Sequence, residues 1–242
     1  MAKYIDKIGI EVECAIQKVD GNYPRVEKFN HTHDGSVNSR TNGYYGREYV
    51  SKPVNYKADW DNKDMSQLEA GLYQLYKTHG IHVNDSMGLH VHVSFYDEFF
   101  YHALASEKFR DYFMDKVANS ELFDKNPRLR ERFNGVNYAE PVNSDDLQAS
   151  LSGRAGGSRR YRHFIYRPGM ETIEFRLFPA FDSMNDVKQA IGIITEAVNG
   201  FLFNKKYELE ESEVLKLQED DIKFKEDENQ DKEQVMEVFK NV

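Results

Sequence analysis

The chain has 242 residues, of which 40% are hydrophobic, enough for one large domain or a domain with an extension. It holds no run of about 18 apolar residues, so no span across a membrane is expected. Net charge is −9, but residues 208–233 alone carry twelve Asp or Glu against four Lys, so the remainder is near neutral, which argues against a broad basic surface for nucleic acid. The start, Met-Ala-Lys-Tyr-Ile-Asp, has charges and no apolar stretch, so no signal peptide is visible. The single cysteine, Cys14, excludes an internal disulfide, and a reducing, cytoplasmic setting is expected.

In chain order, residues 4–16 alternate as a strand. Ile8, Ile10, Val12, Cys14 and Ile16 share one face, and Glu11 and Glu13 share the other. Residues 23–51 read as β-rich, with turns at Asp20-Gly21, Asp34-Gly35 and Asn42-Gly43. A helix capped near Asp64-Met-Ser runs to about His79 and ends at Gly80, with Leu68, Leu72, Leu75 and Tyr76 at helical spacing. Residues 81–83 suggest a short strand. Residues 88–94, Gly-Leu-His-Val-His-Val-Ser, form a further strand, with Leu89, Val91, Val93 and Phe95 opposite His90, His92 and Ser94. Residues 97–118 read as one helix, and 120–150 as a polar stretch of helix or loop. Residues 152–159 form a Gly-rich basic loop. Residues 160–167 and 171–179 make a hairpin around Pro168-Gly169, in which Glu174 and Arg176 oppose Ile173, Phe175 and Leu177. A helix at about 184–203 follows, and the acidic tail after Lys206 offers short helices such as 232–239. The elements lack βαβ regularity, so the sheet is expected to be mainly antiparallel and the class α+β.

Three strands thus carry Glu-x-Glu, His-x-His and Glu-x-Arg on the faces their apolar residues leave free. Solvated strand faces ordinarily take Thr, Ser, Tyr or Lys, and Glu is disfavoured there. Glutamates two apart on a strand stand roughly 7 Å apart and repel each other. A cation beside them removes that penalty. Carboxylate oxygens suit hard divalent ions, and an added imidazole favours Mn²⁺ over Mg²⁺. An ordinary half-solvated antiparallel sheet is the competing reading.

The ordered set Gly-Ile-Glu-Val-Glu, Asp-Gly-Ser at 34–36, Gly-Arg-Glu-Tyr-Val-Ser-Lys-Pro at 46–53, Gly-Leu-His-Val-His-Val-Ser and Thr-Ile-Glu-Phe-Arg-Leu-Phe resembles the amidoligase family. That family is a branch of the glutamine synthetase and γ-glutamylcysteine synthetase superfamily of carboxylate–amine ligases. The resemblance covers about residues 8–200. It implies a strongly curved, mainly antiparallel sheet forming a funnel with flanking helices, with ATP and Mg²⁺ or Mn²⁺ on its inner face. It implies a catalytic domain over 1–206 with an acidic extension over 207–242.

By the same resemblance Glu11, Glu13, Glu48, His90 and Glu174 are expected to ligate metal, and His92 to touch nucleotide phosphates, with Ser94 beside it. Arg176 is expected to hold the transferred phosphoryl group. Arg160, Arg162 and Arg167 are alternative phosphate ligands. Asp34 is the candidate for binding or deprotonating the amine, with a turn role before Gly35 as its other reading. The implied reaction joins a carboxylate, free or in a peptide, to an amine through an acyl phosphate. A guanidino-kinase-like phosphotransferase and a non-catalytic protein that kept the fold are the alternatives. Nucleic-acid binding through Arg154, Arg159, Arg160 and Tyr161 is a weaker one.

Overall fold

The computed structural model describes residues 4–33, 35–39, 41–57, 60, 62–136, 139–153 and 161–203. Among these, seven strands form one open sheet: β1 (Ile5–Ile16), β2 (Phe29–Thr32), β3 (Tyr45–Ser51), β4 (Val54–Asn55), β5 (Leu89–Phe95), β6 (Phe164–Arg167) and β7 (Thr172–Phe175). Their order is β2-β3-β1-β5-β7-β6, with β4 beside the start of β1, and every pairing is antiparallel. Seven α-helices flank it: α1 (Lys63–Tyr73), α2 (Phe99–Leu104), α3 (Glu107–Ala118), α4 (Glu121–Lys125), α5 (Pro127–Phe133), α6 (Ser144–Leu151) and α7 (Met184–Phe203). The class is therefore α+β. No helix among the described residues is long and apolar enough to cross a membrane.

The twelve-residue β1 organises the sheet because its alternation holds from end to end. Ile8, Ile10, Val12, Cys14 and Ile16 are all fully buried. Burial also pushes the Cys14 thiol far above its usual range, so it stays protonated as a small core residue. One side of β1 is shared by two partners. β3 pairs with Glu11–Ile16 and β4 with Lys7–Ile8. Between them the Ile10 amide donates to Ser51 Oγ at 2.9 Å, so the change of partner leaves no orphaned donor.

Helices α3 and α7 cover the apolar face. Val187, Ile191, Ile194, Val198 and Phe201 recur at helical spacing along α7 and are buried. Phe109 of α3 meets Phe164 edge-on at 5.3 Å between ring centroids, and Phe113 meets Phe175 at 5.2 Å. Burying one such ring contributes roughly 1.5–3 kcal/mol. This layer fixes the apolar side of the sheet and so forces every second residue onto the opposite face.

Several boundaries differ from the sequence expectation for local reasons. Residues 97–118 form two helices, because Ser106 adopts extended backbone and caps α3, its Oγ accepting from the Phe109 amide at 3.2 Å. α1 is capped by Asn62 and not at Asp64, which sits in the first turn where its charge suits the helix dipole. The helical turns continue as a π-turn over Gln74–Thr78 and end at Gly80, whose φ is +60°. Residues 81–83 contribute one bridge, His82 to Ala15. The polar stretch 120–150 contains α4, α5 and α6, capped by Ser120, Asn126 and Asn143. Asp34, the loop residues 154–160 and the tail from 204 lie outside the described residues.

His163, just before β6, is fully buried and bonds through Nε2 to the Arg132 carbonyl at 3.1 Å. Burial lowers its pKa from 6.5 to about 4, against the opposing backbone hydrogen bonds to Arg132 and Ala139. Between those values the unfolded chain binds a proton that the folded one refuses. The contribution of neutral His163 is thus full above pH 6.5 and lost as pH falls towards about 4. We expect His163→Gln, which keeps a donor for the carbonyl, to remove on the order of 3 kcal/mol of acid sensitivity between pH 7 and pH 4.5. Denaturant melts of both proteins across that range check this; identical acid slopes would contradict it.

Candidate metal centre

Strand pairing brings the polar positions into one patch. On β1, Glu13 lies opposite Glu48 of β3, and Glu11 lies opposite His90 of β5. His92 lies opposite Glu174 of β7. Directly opposed residues of an antiparallel pair share a face, so all six side chains project from the side that α3 and α7 leave uncovered.

His90 is the centre of this patch. Its Nδ1 is 2.9 Å from Glu11 Oε2, 3.8 Å from Glu174 Oε1 and 3.9 Å from Glu48 Oε1, and its Nε2 is 3.7 Å from Glu13 Oε1. Four carboxylates from three strands thus stand within one imidazole's reach. His92 holds Glu11 from the other side, with Nε2 3.0 Å from Oε1, and its Nδ1 is 3.2 Å from Thr172 Oγ1. Thr32 donates to Glu48 at 3.1 Å. The Gly88 amide donates to Glu13 Oε2 at 2.6 Å. A Cβ on Gly88 would stand 2.9 Å from His90 Nε2 and 3.3 Å from Arg132 Nη1, so the close approach requires glycine.

Arg167 and Arg176 both ion-pair with Glu174. Even so, four carboxylates crowd together while only Glu174 is ion-paired by arginine, so negative charge is in excess when all four are ionised and the imidazoles are neutral. The surroundings register that excess. Burial opposes ionisation of Glu11, but its hydrogen bonds to His90 and then His92 outweigh this and hold its pKa far below the usual range. Glu174 is lowered too, with burial again opposing and Arg176 the strongest of its favourable partners. At Glu48, burial together with the Glu11 charge outweighs the nearby His90 and the Thr32 hydrogen bond and raises it to about 7. His92 is raised, because its bond to Glu11 outweighs the cost of burying its charge.

Among the described residues, two three-residue sets offer ligand atoms within 4.8 Å of one another: Glu11, His90 and Glu174, and Glu13, Glu48 and His90. The donors are oxygen-rich with one imidazole, which fits Mg²⁺ and, with the nitrogen, Mn²⁺. The charge of such an ion would offset the excess. A neutral imidazole has one free ring lone pair, so His90 serves one ion at a time. A second ion would rest on carboxylates alone.

Of the residues nominated from sequence, Glu11, Glu13, Glu48, His90, His92, Glu174, Arg167 and Arg176 are brought together. Ser94 lines the cavity beside His92, and its Oγ accepts from the Lys7 amide at 3.2 Å. Arg162 is not in the patch. It pairs with Glu140 and, through Nε at 2.9 Å, with Asp146, tying α6 to the chain before β6. Two carboxylates hold the Arg162 guanidinium away from the patch, whereas Arg167 lies within it beside Glu174. Asp34 and Arg160 lie outside the described residues.

Arg132 escaped the sequence reading. It is buried and donates to the carbonyls of Met87, Arg176 and Phe178, joining the entry of β5 to the exit of β7. Its signal was an arginine on the same helical face as Leu129 and Phe133.

Compared with models of protein families the chain matches none, and compared with curated proteins it matches none either. The reading of the site therefore rests on its own geometry and on the motifs.

We expect Glu48→Gln to raise the melting temperature of chelator-treated protein at pH 8 by several degrees, because it removes one of the mutually repelling carboxylates. The gain should shrink towards pH 5, where the wild-type carboxyl is protonated. Millimolar Mn²⁺ should stabilise the wild type more than the variant. A variant less stable than wild type at pH 8 and equally stabilised by Mn²⁺ would count against the centre.

Proposed function

We propose that the protein is an ATP- and divalent-metal-dependent carboxylate–amine ligase that activates its acid as an acyl phosphate. The observation that carries this reading is the convergence of four carboxylates on His90, with two guanidiniums gathered on the same Glu174. An antiparallel sheet with its helices on the other face is compatible with the glutamine synthetase-like funnel that the motif resemblance implies. A reducing, cytoplasmic setting goes with the same reading.

Phosphoryl transfer to a carboxylate is chiefly a problem of charge. Bound Mg²⁺ or Mn²⁺, held by Glu11, His90 and Glu174 and by Glu13 with Glu48, would supply neutralisation of the phosphates. His92 fixes the orientation of Glu11, and Thr172 and Thr32 fix His92 and Glu48 in turn. Arg167 and Arg176 offer planar forks for phosphoryl oxygens, a geometry that a lysine cannot reproduce. After transfer the amine attacks the acyl carbon, the C–N bond forms, phosphate leaves, and the amine's proton passes to a base. Asp34 remains the proposed base on the motif match alone.

Hydroxylamine tests the reaction class. Incubated with ATP, Mg²⁺ and a pool of carboxylic acids, the protein should form a hydroxamate and release ADP and phosphate together. A phosphorylated organic product without free phosphate would replace the ligase with the guanidino-kinase reading. Arg176→Lys should lower kcat by about 10²-fold or more while changing the KM for ATP far less. An unchanged kcat with lowered stability would reduce Arg176 to a structural ion pair with Glu174.

A further inference from the structure

Besides a cavity of about 400 Å³ beside Glu11, His92, Arg167 and Glu174, two cavities that share no lining residue reach the patch among the described residues. The larger, about 530 Å³, reaches Glu11 and His92. Its floor is Gly9, where a Cβ would meet nothing nearer than Ser51 Oγ at 3.8 Å, and Val50, Phe95 and Met170 give it apolar walls. The smaller, about 300 Å³, reaches Glu13 and His90. The separation follows from strand geometry, because members of Glu-x-Glu and of His-x-His stand roughly 7 Å apart and face different ends of the patch.

The smaller cavity has a different chemistry. Ser36, Ser86 and Tyr161 bring hydroxyls to it, and Arg132 and Arg176 bring guanidiniums. Arg132 contributes fixed positive charge, its Nη atoms spread over three carbonyls. Arg176 gives Nη1 to Glu174, and its guanidinium lies 5.6 Å from the Tyr161 ring centre. Its Nε–H is buried and forms no hydrogen bond among the described residues, and a guanidinium takes a carboxylate through paired N–H groups.

Building on the ligase reading, we propose that this smaller cavity binds the carboxylate substrate, and that the substrate is a free acid of amino-acid size held by the Arg176 guanidinium. The volume lies at the lower end for ligand sites, which suits a small polar acid and not a peptide of several residues. The larger, apolar-walled cavity on the other flank is left for the nucleotide. The acid then meets the phosphoryl donor across the carboxylate–imidazole patch, with Arg176 beside the bond that forms. The acid's oxygen bonds to the γ-phosphorus as the bond to ADP breaks, and the amine later displaces phosphate from the acyl carbon.

The experiment has a binding arm and a turnover arm. In the first, single amino acids, small dicarboxylic acids and peptides of three to six residues are added at millimolar concentration to protein with Mn²⁺, and melting is followed. At least one small acid should raise the melting temperature by a few degrees, and Ser86→Leu, which narrows the cavity, should abolish that shift while melting within about 3 °C of wild type without ligand. Ser86→Ala, which only removes the hydroxyl bonded to Asn84, should keep most of the shift. In the second arm the same acids are offered with ATP and hydroxylamine. The acid that shifts melting should form the hydroxamate, and Ser86→Leu should raise its KM at least about tenfold. Shifts from peptides alone, or from no acid at all, overturn the pocket assignment whatever ATP turnover shows. A small-acid shift lost in Ser86→Leu, with no hydroxamate formed, keeps the pocket and removes the ligase reading.

Discussion

One imidazole within 4 Å of four carboxylates is the constraint on which the rest of this structure depends. Such a group repels itself, and an apolar interior would not tolerate it. The protein places it on the uncovered face of a sheet whose other face is locked by α3 and α7. It then surrounds it with donors: the Gly88 amide, Thr32, His92, Arg167 and Arg176. These donors leave an excess of negative charge when all four carboxylates are ionised. The arrangement is therefore a stored electrostatic cost, carried by the buried aromatic layer on the opposite face, that a bound cation would relieve.

The same geometry divides the patch into two ends. β1 and β5 each repeat their polar residue at i and i+2, so one pair member of each strand borders the apolar-walled cavity and the other borders the hydroxyl- and guanidinium-lined one. Glu174 and its two arginines sit beside this line. On the proposed reaction, a nucleotide and a small acid would approach the shared polar centre from these two ends.

The alternation that separated Glu11 and Glu13 from Ile10 and Val12 was legible because it depends only on the local strand period. The α+β class, the hairpin before and after Pro168 and the span of α7 followed from equally local signals. The centrality of His90 was not legible, since it comes from the pairing of β1 with β5 across 79 positions and of β5 with β7 across a further 82. Arg162 and Arg167 could not be told apart in sequence, because only the tertiary positions of Glu140 and Asp146 claim the first. Arg132 reads as a surface charge until the carbonyls of Met87, Arg176 and Phe178 are seen around it. Ser106 shows the reverse case: its capping chemistry was available in the sequence but was outweighed by the apolar spacing of Phe100, Leu104 and Phe109.

The claim that the patch is a cation centre is tested most directly by diffraction at a wavelength where manganese scatters anomalously, from crystals grown with millimolar Mn²⁺. The account predicts at least one anomalous peak bonded to His90 and to carboxylates of Glu11 and Glu174 or of Glu13 and Glu48, and loss of the imidazole-bound peak in His90→Ala. Crystals that show Mn²⁺ elsewhere, or nowhere, while all four carboxylates stay around His90, would contradict it.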